Sequence, residues 1–354
     1  MNQSSLTIKQ LLEHPKVRDL VSPEDIERIA ASLAGPEQPS KDPMYIRILY
    51  GLGAWFAALF LILFIGISQM FESGAASIFI GITFLVAAIV ITRVSKAVFL
   101  SQLSLALAFA GNILILVGVI AEIEKPDVLI ILITHAVVCA VVYPLYVSSI
   151  YRFLAPIALV VLATVWIVDD EVFFLMHFLI AAEMILAGVL LLHRKLPSLL
   201  IPLAYSAAVM LPATLLFLNL MQIHIWSDKF NTPLWPSSIV LALGLIYLYF
   251  HLAGGTKRLH EPWMICAIIS TILLGIFSTP GVLVAIGLLV LGYTFGDLIL
   301  MALSYLFLPC FLVCFYYALN IDLAYKSWVI AGSGILLLVV RYILGRLQPP
   351  EVTT

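Results

Sequence analysis

The gaps between charged residues decide what this chain can be. From Tyr45 onward the sequence is a succession of apolar runs, each close to the ~20 residues with which an α-helix crosses a bilayer. Backbone N–H and C=O groups find no partners in hydrocarbon, so runs of this length must close their hydrogen bonds internally, as helices. Charged side chains make up only 11% of the residues and hydrophobic ones 63%, with a mean hydropathy of +1.14. Soluble domains are about half apolar and about a quarter charged, so a water-soluble globule is excluded. The net charge of −2, from 18 basic and 20 acidic residues, gives no basic field, and no nucleic-acid partner is expected.

Twelve helices are predicted, at 48–70, 74–92, 99–121, 128–147, 153–168, 172–192, 199–221, 237–253, 262–278, 281–296, 298–319 and 325–342. The fifth and tenth are short, which leaves eleven spans plus a re-entrant piece as an alternative. Connections are brief, so helices consecutive in sequence are expected to lie side by side and antiparallel. The fold class is therefore all-α, a polytopic transmembrane helix bundle of about 12 spans with a short polar N-terminal helical segment.

That segment, residues 1–44, is a helical piece and linker carrying 12 charged groups, with no cleavable signal peptide expected. Ser22-Pro23-Glu24-Asp25 supplies a helix start, with an N-cap, a proline in the first turn and carboxylates at the positive end of the dipole. Residues 45–346 form the bundle and 347–354 a tail.

Lysine and arginine set the expected orientation. With residues 1–44 inside, inner segments hold six basic residues before the first helix, then Arg93, Lys96, Arg152, Arg194, Lys195, Lys257, Arg258, Arg341 and Arg346. Outer segments hold only Lys125, Lys229 and Lys326, a split of 15 to 3 that follows the positive-inside rule and puts both termini in the cytoplasm. Glu72, Glu122, Glu124, Asp127, Asp169-Asp170-Glu171, Asp228 and Asp322 fall on the outer side, with Trp166, Trp226, Trp235 and Trp328 at the same boundary. The longest outer loop, about 222–237, is expected to lie along the membrane surface.

Soluble-enzyme motifs are missing: there is no GxxxxGK[ST], HExxH or GxSxG. No catalytic residue, cofactor or metal is therefore expected, and the chain is read as a non-enzyme. Cys139, Cys266, Cys310 and Cys314 lie inside apolar runs and are read as small packing residues. Polar groups buried in lipid are expensive, which makes them the place to look for function. Glu183, near the centre of the sixth predicted helix, is the foremost binding or proton-coupling candidate. Asn112 falls near the same depth and is a candidate partner for it. His135 and His177 lie about 8–11 Å below the outer surface, at equal depth, which permits them to face each other. The plainer alternative is that all four hold helices together through hydrogen bonds.

Near the C-terminus an ordered pattern runs through Gly296-Asp297, Leu300, Leu303-Ser304, Phe307, Tyr316-Tyr317, Lys326-Ser327, Gly332 and Arg341. It resembles the end of a bacterial family of multi-pass membrane proteins of about this length, classed as a domain of unknown function. Leu298 and Asp322 stand where that pattern carries tyrosine and threonine. The polar N-terminal helix followed by many spans is similar to a second group of uncharacterised bacterial membrane proteins. The resemblance implies a bacterial inner membrane and a membrane-anchored protein partner, and brings no activity with it. Read directly, Asp297 is placed to cap the eleventh predicted helix and to pair with Arg341. Asp322 precedes Lys326 by four residues, the favourable order for a helical ion pair.

Twelve spans with both ends inside, and a buried acid, point first to a permease or flippase-like transporter of an unidentified solute or lipid. The alternative is a non-transporting scaffold that binds another envelope protein, and an intramembrane enzyme ranks last.

Overall fold

The computed structural model describes residues 73–95, 97–193, 196–222, 233–255 and 261–318, together with Gly53, Phe56, Leu59, Phe60, Ser327, Trp328, Ala331 and Ile335. The N-terminal segment, most of the first and last predicted helices, most of the 222–237 loop, and Asp322, Lys326 and Arg341 lie outside the described residues.

Among the described residues every element of length is an α-helix, and there are ten: α1 Gly74–Val94, α2 Val98–Glu122, α3 Val128–Leu145, α4 Ser149–Asp169, α5 Leu175–Leu192, α6 Ile201–Leu220, α7 Trp235–Leu252, α8 Pro262–Phe277, α9 Pro280–Phe295 and α10 Leu298–Ala318. Eight are long and apolar enough to cross a membrane; α8 and α9, at 16 residues each, fall short of that length. The expected count of twelve spans is thus corrected to eight candidates among the described residues. The predicted short fifth helix is also corrected: α4 runs 21 residues, because Ser148 caps it five residues before the expected start, its hydroxyl accepting from Tyr151 N. The ninth predicted helix, α8, joins the tenth in being short.

Large apolar side chains face outward on all sides, among them Phe79, Val137, Phe178, Leu243, Ile276 and Leu306, each more than half exposed. A surface of that kind is stable only against lipid, and the protein is a multi-pass membrane protein embedded in a bilayer. Two helices form its inner posts. Of the most apolar 18-residue window, 61% is buried in α2 and 56% in α6, against 17–28% in the other six candidate spans.

Two core clusters organise the helices. One gathers α1, α2, α3 and the start of α4 around Leu85, Leu107, Tyr146 and Tyr151; the other gathers the end of α4 with α5, α6, α7, α9 and α10 around Met176, Leu215, Leu283 and Phe311. The α1–α2 pair is the most extensive contact, because glycines at heptad spacing on both helices let the backbones touch. A Cβ on Gly81 would lie 2.7 Å from the Gly111 carbonyl oxygen, and one on Gly118 2.6 Å from that of Gly74. Glu122 closes the same pair, its Oε1 accepting from Ala75 N at 2.7 Å, where the α1 dipole favours a carboxylate.

Consecutive helices do pack side by side through α1 to α6 and α7 to α10. The expectation fails across the long 222–237 connection: α6 packs chiefly on α4, α5, α9 and α10, whereas α7 packs on α5, α8 and α9. A long loop removes the constraint that makes short-linked helices neighbours. At the opposite end of the bundle from Glu122, Arg152 closes the C-terminus of α3: its Nε donates to the Tyr143 carbonyl at 3.0 Å and its Nη2 to that of Pro144 at 3.3 Å. Those carbonyls have no intrahelical partner, so a cation serves them well.

Candidate functional site

Glu183 lies on the buried stripe of α5, with Met176, Ile180, Ala187 and Leu190, and is 4% exposed. The stripe faces α6, where Thr214 Oγ1 donates to Glu183 Oε1 at 3.0 Å. Glu183 Oε2 is buried and meets no donor among the described residues. Thr214 carries no charge and gave no signal in the sequence beyond standing two residues after Pro212. Asn112 is not the partner of Glu183, which corrects that expectation. Equal depth along the membrane normal leaves the lateral position open, and Asn112 belongs to the other core cluster, with α2.

There Asn112 joins His135 and Tyr151. His135 Nδ1 is 3.2 Å from Asn112 Oδ1, His135 Nε2 is 3.0 Å from the Ala155 carbonyl, and Asn112 Nδ2 donates to Tyr151 Oη at 3.3 Å. A neutral imidazole has one N–H, and in this arrangement both ring nitrogens face acceptors. Turning the amide over lets Asn112 donate to His135 and accept from Tyr151, which satisfies all three groups with a neutral ring. Next to this triad, Ser104 Oγ and Tyr146 Oη are 3.0 Å apart. His177 is elsewhere again, half-buried, with its Nδ1 2.7 Å from Ser237 Oγ at the start of α7. The two histidines therefore do not face each other, and each is held by a partner from another helix.

Asp297 does cap α10, as its position after Gly296 suggested. Gly296 takes the left-handed conformation, φ 67°, that ends α9, and Asp297 Oδ1 accepts from Ile299 N at 2.9 Å and Leu300 N at 3.3 Å. Its Oδ2 accepts from Tyr205 Oη on α6 at 2.6 Å, a contact that the sequence did not announce. The pairings proposed for Arg341 with Asp297 and for Asp322 with Lys326 lie outside the described residues.

A groove of about 850 Å³ opens between α5, α7 and α9, floored by Leu211 of α6 and by Leu283, Gly287 and Leu291 of α9. Its walls are mostly apolar, and its polar side chains are Tyr247 on α7 with His193 and His251, which stand at the C-terminal ends of α5 and α7. Glu183 does not line it, but Met184, the next residue, and Ala187, one turn further along the Glu183 stripe, both do. Nothing in the sequence marked the groove, because its residues read like any lipid-facing surface. At the far end of the other half, the carboxylates of Asp127, Asp169 and Asp170 come within 4.8 Å of one another. Two of them serve the fold: Asp127 caps α3, and Asp170 accepts from Trp166 Nε1 at 2.6 Å. All four cysteines are free, and Cys266 is exposed rather than packed inside.

Residues 43–347 match a protein family described as a domain of unknown function (DUF4401). The chain belongs to that family. The match covers most of the DUF4401 chain, including every described helix, and it agrees with the resemblance carried by the Gly296-Asp297 pattern. No curated protein and no solved structure matches the chain.

Proposed function

We propose that this DUF4401 protein is a permease or flippase-like transporter whose cargo is a lipid-like amphiphile. The observation that carries the proposal is the apolar groove between α5, α7 and α9, bordered by the helix that holds the buried Glu183. An amphiphile needs an apolar wall for its tail, and a transporter needs a group whose state can change with occupancy. Glu183, with one oxygen on Thr214 across the α5–α6 contact, is suited to couple proton binding to the separation of those helices. The charge pattern supports a bacterial inner membrane with both termini cytoplasmic. The missing catalytic motifs support a non-enzyme.

Purified protein in vesicles, with fluorescent phospholipid in one leaflet and an imposed proton gradient, tests this. Wild type is expected to accelerate transfer between leaflets, and Glu183→Gln to abolish the gradient-dependent part. Unchanged gradient-dependent transfer in that variant removes Glu183 from the mechanism.

A scaffold that holds a membrane-anchored protein partner is the second reading. It is favoured by the way Asn112, His135 and Glu183 all direct their hydrogen bonds to neighbouring helices, with none opening onto the groove. Absence of transfer for every lipid tested, together with a stable co-purifying protein, supports it.

A further inference from the structure

We infer that the α5–α7–α9 groove holds one acyl chain of an anionic phospholipid, with the head group at the His193 and His251 end. The inference rests on the groove being a ligand site, as proposed above, and adds the chemistry of the ligand.

Length argues first. The groove lining runs on α5 from Met184 to His193 and on α7 from Val240 to His251. At about 1.5 Å per residue these are stretches of about 14 Å and 16 Å. Half of a ~30 Å hydrocarbon core is ~15 Å, so the groove has the depth of one leaflet. One end of its lining begins at Met184, next to Glu183 near the middle of α5, and the other, with its histidines, lies where α5 and α7 stop. An acyl chain from a single leaflet fits that span.

Charge argues second. His193 is followed directly by Arg194 and Lys195, and α7 is followed within six residues by Lys257 and Arg258. In the sequence, the segments that follow His193 and His251 therefore each carry a basic pair within a few residues. The groove walls contain no acid. Basic residues at a membrane surface attract anionic lipid, each adding to the preference. A phosphodiester with net negative charge is the head group this end selects, and a zwitterionic one is disfavoured relative to it.

Space argues third. Gly188 lines the groove, and a Cβ there would meet nothing within 4 Å. A side chain at Gly188 therefore starts into open space on the groove wall, which makes a large residue there a suitable plug.

Native mass spectrometry of the full chain released from detergent, supplemented with phosphatidylglycerol or phosphatidylcholine, tests the inference. Wild type is expected to retain one phosphatidylglycerol with about tenfold preference over phosphatidylcholine. Gly188→Phe is expected to lose the retained lipid with its Tm unchanged. Replacing Arg194, Lys195, Lys257 and Arg258 together by glutamine is expected to keep retention but remove the preference. Equal retention of both lipids by wild type overturns the head-group assignment and leaves the groove as a ligand site. Unchanged retention in Gly188→Phe, or a lipid-free dimer, overturns the groove as a lipid site altogether.

Discussion

Tyr205 Oη donates to Asp297 Oδ2 at 2.6 Å, tying the first turns of α6 to the turn that joins α9 and α10. The same carboxylate caps α10 through its other oxygen, so one side chain sets the start of a helix and its distance from a neighbour. Asp297→Ala removes both functions and is expected to destabilise by about 2 kcal/mol. Tyr205→Phe, which leaves the cap, is expected to cost about 1 kcal/mol. Thermal unfolding in detergent gives the order; equal Tm values for the two variants exclude a separate capping role.

The α1–α2 pair offers a sharper steric test. Gly81→Ala places a methyl 2.7 Å from the Gly111 carbonyl oxygen, a contact that only a backbone shift relieves. Overpacking of this kind costs about 1–3 kcal/mol. Gly188→Ala, on the open groove wall, is expected to be neutral or slightly stabilising, because alanine favours helix. A fall in Tm for Gly188→Ala matching that of Gly81→Ala contradicts the packing difference.

For the polar triad, removal of one member leaves buried partners unsatisfied, at about 1–3 kcal/mol. His135→Ala is therefore expected to destabilise more than Tyr151→Phe, since it strips a partner from both Asn112 and the Ala155 carbonyl. A double-mutant cycle between His135 and Asn112 should give a coupling of about 1 kcal/mol, and one between His135 and His177 none. Coupling between the two histidines contradicts their separate placement.

The contact between Glu183 and Thr214 makes a similar claim. Thr214→Val keeps the shape and removes the donor, so it should matter only while Glu183 is present. In the Glu183→Gln background its effect on Tm is expected to shrink by about half or more. Full additivity indicates that the hydrogen bond is not formed in the membrane.

Helix positions were legible because each lipid-crossing run is bounded by charge, and predicted runs such as 74–92 and 128–147 differ from α1 and α3 by two residues at the C-terminal end. The Asp297 cap was legible because glycine followed by aspartate has the chemistry of a helix stop and a helix start. Partners were not. Spacing along a helix gives depth, and depth alone paired Asn112 with Glu183 when the bundle sets them in different core clusters. Ser148 as an early cap was missed because Arg152, placed among the inner-side charges, set the expected start of that helix at 153. The groove was invisible for a different reason: a leucine facing a cavity and a leucine facing lipid are the same letter.

Shortness in α8 and α9 has a consequence beyond topology. Sixteen residues reach about 24 Å, some 6 Å less than an average hydrocarbon slab. Where helices this short meet hydrocarbon, the surrounding bilayer thins to match them. Since α9 floors the groove, any such thinning falls beside the site proposed above for the acyl chain and shortens the hydrocarbon path there.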